Sequence, residues 1–220
     1  MIAGRMDKPQ IIQRIVDPGV FAILRMESSE PLLHVAQALF DGGISVMEIP
    51  MTTPDALQTI AAVKKKFGDK IVMGVGSILD MKTARAAMVI GADFVVTPVT
   101  RPDVIRVCNR YLRPIISGAY TPTEAFHAQE SGADFVKIFP ADGLGPAYIK
   151  SLLAPMPMLK LVPTGGVTHQ NAAEYLAAGC AALAVSTAVM PNAVVQNREW
   201  KKIAKSAAAL VEIIAKARQK

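Results

Sequence analysis

A single lysine interrupts an otherwise apolar stretch of this chain, and its position calls for a chemical explanation. The stretch is ADFVKIFP, residues 133–140, and the lysine is Lys137. Burial penalises a charged ammonium group, so the lysine must be neutral, be paired with an acid, or lie at an open strand end. Three interpretations follow: a buried ion pair, an exposed lysine at a strand end, or a nucleophile that forms a Schiff base with a carbonyl compound.

Glu48 is a second ionisable residue of this kind, because it interrupts the strand-like run Val46-Met47-Glu48-Ile49. One interpretation is an acid held in an ion pair within the core. The other is a proton shuttle beside a Schiff-base lysine, since imine formation needs proton transfer at several steps. Arg25 ends another apolar run. If its charge faces Lys137, it lowers the pKa of the lysine and makes the amine a better nucleophile.

A glycine pair in Thr164-Gly165-Gly166 predicts an anion site, because glycines allow close backbone approach and a following helix offers free N–H groups. Gly-Gly turns between a strand and a helix are common. The position after the seventh predicted strand adds weight, since α/β barrels often bind phosphate with the loops after strands seven and eight. Ser186 and Thr187 end the eighth predicted strand and would supply the other half of that site.

Strand-like and helix-like patterns alternate along the whole chain and give eight units. We therefore predict a single (β/α)8 TIM barrel over residues 1–220, in which residues 1–19 are an N-terminal lead-in segment. Thr53-Pro54 and Thr121-Pro122-Thr123-Glu124 are expected to begin helices, and Asp80 to cap another. The predicted strands lie at residues 20–25, 45–49, 71–77, 94–98, 114–118, 133–140, 160–163 and 182–187, and the closing helix at 200–218.

Polar residues at the ends of these strands are the candidates for function, because barrels carry their active sites at the carboxyl ends of the strands. The histidines all fall on helical patterns, so we expect none of them to be catalytic. The Gly74-Val75-Gly76-Ser77 segment lacks the third glycine and the acid of a dinucleotide loop. The candidates are Arg25, Glu48, Ser77, Thr97, Ser117, Lys137, Thr164, Ser186 and Thr187.

Composition narrows the classes of partner. The net charge is +6, but the basic residues are spread along the chain without aromatic interleaving, which favours solvated helix faces over a nucleic-acid surface. Cys108 and Cys180 have no metal-like spacing, so we expect no metal, no disulfide and a reducing compartment. Neither a signal peptide nor a membrane span is apparent. We predict a cytoplasmic protein with a small-molecule partner and no cofactor.

Taken together, these motifs resemble the class I 2-keto-3-deoxy-6-phosphogluconate (KDPG) and 4-hydroxy-2-oxoglutarate (KHG) aldolases. The resemblance covers about residues 20–189 and rests on the order and spacing of several segments rather than on any one of them. These segments are Ala22-Ile23-Leu24-Arg25, Met47-Glu48-Ile49, Gly74-Val75-Gly76-Ser77, Thr121-Pro122-Thr123-Glu124, Val136-Lys137-Ile138-Phe139-Pro140 and Val162-Pro163-Thr164-Gly165-Gly166-Val167.

The resemblance implies that Lys137 forms the Schiff base and that Glu48 is the general acid and base, acting through water. It implies homotrimers, and cleavage of KDPG in the Entner–Doudoroff route to pyruvate and an aldehyde such as glyceraldehyde 3-phosphate. The implied substrate-binding residues are Arg25, Ser77, Pro98, Phe139 and Thr164, and the implied phosphate-binding residues are Gly165, Gly166, Ser186 and Thr187.

Three positions depart from the family pattern. Thr52 stands where many members have an arginine, Ser117-Gly118 replaces Pro-Gly, and Ser186 replaces a glycine of the phosphate loop. Arg25 would then bind the substrate carboxylate. Three alternatives to KDPG cleavage stay open. They are cleavage of 4-hydroxy-2-oxoglutarate to pyruvate and glyoxylate, a sugar-phosphate epimerase or isomerase with Lys137 ion-paired, and a non-catalytic binding protein on the same scaffold.

Overall fold

Eight parallel strands form a nearly closed barrel in the computed structural model, which describes residues 6–219. The strands are β1 (Val20–Ile23), β2 (Val46–Pro50), β3 (Val72–Gly76), β4 (Phe94–Val96), β5 (Ile115–Ala119), β6 (Phe135–Ile138), β7 (Leu161–Pro163) and β8 (Leu183–Val185). Each strand from β1 to β6 pairs with the next one, and β1 also pairs with β8. A parallel bridge between Thr164 and Ala184 joins β7 to β8. The predicted (β/α)8 fold is confirmed.

Helices cover the outside of this barrel and one of its ends. The closing helix lies where the sequence predicted it. In chain order the α-helices of residues 6–219 are α1 (Lys8–Val16), α2 (Leu32–Asp41), α3 (Ala56–Phe67), α4 (Met81–Ile90), α5 (Pro102–Arg110), α6 (Pro122–Glu130), α7 (Gly145–Leu153), α8 (Ala172–Ala177), α9 (Asn192–Gln196) and α10 (Trp200–Arg218).

Two of the three predicted helix starts are confirmed. The Asp80 side chain accepts backbone N–H groups at the start of α4, and Thr121 forms a capping box with Glu124 at the start of α6. The prediction at Thr53-Pro54 is wrong, because α3 begins at Ala56. Thr53 is buried and its hydroxyl donates to the Leu24 carbonyl oxygen at 3.4 Å, so the side chain is turned toward the end of β1 and cannot cap α3.

Helix α1 lies inside the predicted lead-in segment and was not expected from the sequence. It begins with a capping box in which Asp7 and Gln10 each accept a backbone N–H of the other. Ile11 and Ile15 are fully buried and join the cluster of side chains inside the barrel. The helix therefore closes the amino-terminal end of the barrel.

Alternation along the strands separates an inner core from an outer one. Side chains that point inward form one cluster with α1, whereas their neighbours pack against the surrounding helices. Glu48 follows the inward-facing Val46 by two positions, and Lys137 follows the inward-facing Phe135 in the same way. The pleat thus places both ionisable residues inside the barrel, one layer closer to its carboxyl end.

Candidate active site

Lys137 and Glu48 are both buried inside the barrel at the carboxyl ends of their strands. Lys137, on β6, is 6% exposed, and Glu48, on β2, is 2% exposed. The Lys137 Nζ lies 4.7 Å from the centroid of the Phe139 ring, which covers one side of the amine. The two strands are far apart in the sheet order, so only closure of the barrel brings these side chains toward each other.

Burial is the main influence on the charge of both groups. It lowers the pKa of Lys137 from its ordinary value; the charge of Glu48 opposes this shift and the charge of Arg25 adds to it. Burial raises the pKa of Glu48, while the charges of Lys137 and Arg25 oppose that rise. Glu48 Oε2 is buried without a hydrogen-bond partner. A buried amine with a lowered pKa is a better nucleophile, and a carboxyl group with a raised pKa is a better proton donor at neutral pH.

Gly76 makes the room that the Glu48 carboxylate occupies. Residues Pro50 and Gly76 are register partners on β2 and β3, so Gly76 lies beside the end of the glutamate strand. A Cβ atom at Gly76 would lie 1.6 Å from Glu48 Oε1. Such a distance is far inside van der Waals contact, so any larger residue here would displace the carboxylate.

A cavity of about 940 Å³ lies at the carboxyl end of the barrel. Its wall includes the loops after β1, β2, β6, β7 and β8 and helix α9. Thr52, the residue that replaces an arginine of the family pattern, is part of this wall. Seven of the predicted binding residues are brought together here, namely Arg25, Phe139, Thr164, Gly165, Gly166, Ser186 and Thr187.

The glycine pair has a backbone conformation that favours glycine. Gly165 and Gly166 have φ angles of +90° and +70°, which residues with a side chain rarely adopt. The Asn171 side-chain amide donates to the Gly166 carbonyl oxygen at 2.8 Å and holds the loop. A helix follows the glycines as predicted, but not directly, since α8 begins only at Ala172 and has six residues. Anion binding would therefore depend on the loop backbone and not on a helix directly after the glycines.

Ser186 fits into its loop because its side chain turns toward β1. The Ser186 hydroxyl donates to the Ile23 carbonyl oxygen at 2.9 Å. This contact shows how a serine is accommodated where the family pattern has a glycine. Thr187 is exposed at the cavity wall.

The remaining strand-end candidates lie outside the wall of the cavity. Ser77 follows β3 with a φ angle of +57° and is half-buried, and Pro98 is half-buried after β4. Thr97 is buried, and its hydroxyl accepts the backbone N–H of Gly118 at 3.3 Å. Ser117 is buried, and its hydroxyl has no hydrogen-bond partner. Thr97 therefore links the ends of β4 and β5, and the structure does not bring these four residues to the cavity.

Residues of the outer cavity wall were missed from the sequence. Glu30 in the loop after β1 lies there, as do Asn192, Gln196 and Arg198 from α9 and the residues that follow it. One signal was available, namely that predicted strand 182–187 and predicted helix 200–218 are separated by an unusually long connection. Long connections in compact domains often carry function.

Residues 6–219 contain neither a metal-binding cluster of acidic, histidine or cysteine side chains nor a membrane-spanning helix. No group of three or more histidine, cysteine, aspartate or glutamate side chains is arranged to hold a metal ion. None of the helices described is both long enough and apolar enough to cross a membrane.

A parallel α/β barrel with a buried lysine and a buried acid at the carboxyl ends of its strands is typical of barrel enzymes that form Schiff bases. The chain belongs to the KDPG and KHG aldolase family, whose family model matches residues 11–206. It is 40% identical to the 2-dehydro-3-deoxy-6-phosphogalactonate aldolase of Escherichia coli (strain K12), over 74% of this chain and 80% of that protein. It is 38% identical to the 2-dehydro-3-deoxy-phosphogluconate aldolase of Treponema pallidum (strain Nichols), over 72% of this chain and 75% of that protein.

A solved structure of this family carries a covalent intermediate. The KDPG aldolase of Legionella pneumophila, captured with pyruvate as a covalent carbinolamine at low pH, superposes with a TM-score of 0.84. It is 25% identical in sequence, and the match covers 91% of this chain and 98% of that chain.

Proposed function

We propose that this protein is a class I aldolase that cleaves a phosphorylated 2-keto-3-deoxy sugar acid, with KDPG as the expected substrate. The products would be pyruvate and an aldehyde such as glyceraldehyde 3-phosphate. The observation that carries the proposal is Lys137, a lysine 6% exposed inside the barrel with a lowered pKa and a buried glutamate near it. The covalent pyruvate adduct of the related Legionella pneumophila aldolase supports the same chemistry.

In the first half of the proposed reaction, Lys137 becomes covalently attached to the substrate. Its neutral amine attacks the C2 ketone, a carbon–nitrogen bond forms, and the carbinolamine then loses water to give a protonated imine. When the C3–C4 bond breaks, its electron pair moves toward this imine. The C4 hydroxyl loses its proton and C4 leaves as the aldehyde carbon. The positive imine explains the use of lysine, because it stabilises the carbanion that develops at C3.

In the second half, the enamine left on Lys137 gains a proton at C3 and is hydrolysed. The hydrolysis consumes one water, which balances the water lost when the imine formed, and it releases pyruvate and the free amine. Glu48 would move protons in both halves, and this role is supported by a buried carboxyl that lies inside the barrel with Lys137 and has a raised pKa.

Arg25 and the glycine loop would hold the two ends of the substrate. Arg25 lines the cavity, and its charge acts on both Lys137 and Glu48, so it lies at the correct end to bind the carboxylate beside the reacting ketone. Gly165 and Gly166, with the adjacent Ser186-Thr187 loop, would bind the phosphate through backbone N–H groups. Phe139 and Thr164 line the space between these ends. Contacts from Ser77 and Pro98 to the substrate remain predictions.

Reductive trapping tests the Schiff base directly. Incubation with pyruvate and borohydride should add one reduced pyruvyl group to the protein, and peptide mass spectrometry should locate it on Lys137. A protein of unchanged mass would overturn the proposal and would favour a sugar-phosphate isomerase or a binding protein on this scaffold. Lys150→Arg is a suitable control, since Lys150 is exposed on α7 and its replacement should leave the labelling unchanged.

A substrate panel tests which acid is cleaved. The gluconate- and galactonate-derived acids differ in configuration at C4, which becomes the aldehyde carbon, so both give the same products and each must be assayed separately. Unphosphorylated acids and 4-hydroxy-2-oxoglutarate complete the panel. We expect the highest kcat/KM for the phosphorylated acids, because the glycine loop, a candidate phosphate site, lines the same cavity of about 940 Å³ as Arg25. A preference for 4-hydroxy-2-oxoglutarate would contradict this choice.

We further propose that the protein is a cytoplasmic homotrimer. Support for the assembly comes from an apolar face formed by residues in or near the loops after β3, β4 and β5, which are neighbours in the barrel. This apolar face consists of Leu79, Met81, Val99, Tyr120 and Phe126, which are 53%, 47%, 50%, 44% and 41% exposed in the single chain. Exposed apolar side chains that lie together favour a protein interface.

A further inference from the structure

We propose that Arg198 forms a distal anion subsite and binds the substrate phosphate in exchange for Glu30. This inference rests on the proposed function and concerns the outer end of the same cavity. Arg198 and Arg25 are the two cationic residues of the cavity wall in the described part of the chain. Arg25 is proposed to bind the substrate carboxylate beside the ketone. Arg198 is then the remaining cation of the wall that could bind the phosphate at the other end of the substrate.

The backbone of Arg198 is held in place between α9 and α10. Its φ angle is +54°, a conformation that non-glycine residues adopt rarely and often at functional sites. The Arg198 N–H donates to the Val195 carbonyl oxygen at 3.0 Å, and the Trp200 N–H donates to the Arg198 carbonyl oxygen at 3.0 Å. Trp200 in turn stacks on His34 of α2, with ring centroids 5.6 Å apart. The Arg198 side chain therefore starts from a fixed backbone position at the edge of the cavity.

The present partner of Arg198 is easily replaced. Its Nη2 atom lies 3.2 Å from each Glu30 carboxylate oxygen, and the two side chains are 66% and 58% exposed. Exposed ion pairs of this kind contribute little to stability, because water screens them and two flexible side chains must be ordered. A phosphate monoester carries nearly two negative charges at neutral pH and offers several acceptor oxygens, so it competes well for a guanidinium group.

The rest of the predicted phosphate site lacks a positive charge. Gly165 and Gly166 offer backbone groups alone, and the Ser186 hydroxyl is already donated to the Ile23 carbonyl oxygen. Thr187 is neutral. A guanidinium group from the α9–α10 connection would complete this site, since Arg198 lines the same cavity as the glycine loop. Phosphate recognition in proteins commonly combines backbone N–H groups with such a cation.

The test compares kcat/KM for KDPG with kcat/KM for the same acid without its phosphate, and their ratio is the readout. Arg198→Ala should lower this ratio about tenfold or more, as expected for loss of a charge-assisted hydrogen bond. The ratio for Arg198→Lys should lie between those of the wild type and Arg198→Ala, because lysine keeps the charge and loses the paired donors. Glu30→Gln should not lower the ratio, since it releases Arg198. Lys202→Ala is the matched control, because Lys202 forms an exposed pair with Glu199 outside the cavity wall.

Several outcomes would overturn the subsite. One is an unchanged ratio in Arg198→Ala. Another is an equal decrease of kcat/KM in Arg198→Ala and Glu30→Gln for both the phosphorylated and the unphosphorylated acid. That result would mean that the ion pair only stabilises the two loops. If the unphosphorylated acid is not cleaved, KM for KDPG decides alone: an increase of about tenfold supports the subsite and no change rejects it. Pyruvate trapping on Lys137 of the wild-type protein separates the two proposals. Failed trapping rejects the proposed aldolase activity, whereas normal trapping together with an unchanged ratio in Arg198→Ala rejects only the subsite.

Discussion

At the scale of single residues, the features proposed for catalysis work against stability. Glu48 Oε2 is buried without a hydrogen-bond partner, and a buried polar group in that state costs about 1–3 kcal/mol. Lys137 is buried with its charge penalised in the same way. A protein selected only for stability would place apolar side chains at both positions. Their presence at the carboxyl ends of two strands is the residue-level argument for chemistry.

Replacing Glu48 with glutamine should slow turnover strongly and remove one source of the pH dependence of stability. Because burial raises the pKa of Glu48, the folded protein binds more protons than the unfolded chain in the window that begins at the ordinary value of 4.5 and extends upward. The contribution of Glu48 to the free energy of unfolding therefore falls as the pH rises through that window. Glu48→Gln should lack this fall and turn over about 10²–10⁴-fold more slowly.

Urea unfolding at several pH values and steady-state kinetics measure these two effects. Glu174→Gln provides the control, since Glu174 is exposed on α8 and its replacement should change stability by no more than about 0.5 kcal/mol. Full activity in Glu48→Gln would show that another group moves the protons. The same pH dependence in the variant and the wild type would show that the burial of Glu48 is not its source.

Adding one methyl group at Gly76 should disable the site. A Cβ atom there would lie 1.6 Å from Glu48 Oε1, so Gly76→Ala must displace the carboxylate. We expect a loss of activity of about 10²-fold or more together with a destabilisation of about 1–3 kcal/mol. Gly143→Ala is the matched control, because nothing lies within 4 Å of a Cβ atom at that position. Normal kcat in Gly76→Ala would mean that Glu48 can act from a displaced position.

At the scale of elements, the short terminal helix shows the limit of sequence patterns. Helix α1 has nine residues, of which only Ile11 and Ile15 are buried. The segment has four apolar residues at helical spacing, Ile11, Ile12, Ile15 and Val16, but a helix of nine residues is too short to be stable in isolation. The helix is stabilised by its capping box and by contact with the open end of the barrel, and that second contribution exists only after the strands have closed.

Truncating Ile11 should therefore weaken the whole barrel. Ile11 is fully buried against the inner cluster, so Ile11→Ala should lower the free energy of unfolding by about 2–5 kcal/mol. Ile12→Ala, one position along the same helix, should cost clearly less because Ile12 is only half-buried. Chemical denaturation of the two variants measures the difference. Equal losses would mean that α1 stabilises the protein through its outer face.

At the scale of the whole molecule, the apolar face accounts for the proposed assembly. Phe126→Glu would place a charge in the contact between copies, so we expect the wild type to be a trimer and this variant to be a monomer by light scattering. Met158→Glu is the control, because Met158 is 50% exposed but precedes β7 and lies outside the apolar face. A wild-type protein that is monomeric, or a Phe126→Glu variant with unchanged mass, would contradict the proposal.

The sequence by itself determined the alternation of strands and helices, the eight units and the place of Lys137 and Glu48 on two of the strands. These features follow from local patterns of apolar and polar residues and from turn signals. The sequence also placed a glycine pair, Gly165 and Gly166, in the loop after the seventh strand, where both residues have positive φ angles.

Only the tertiary structure decided which strand ends meet at one cavity. Barrel closure joins the loop after β1 to those after β7 and β8, so Arg25, Ser186 and Arg198 share one cavity wall although they are distant in the chain. Ser77 and Pro98 lie at strand ends as predicted but outside this wall. The physical reason is that periodicity fixes the face of a strand on which a side chain lies, whereas the packing of loops across the barrel end fixes its neighbours.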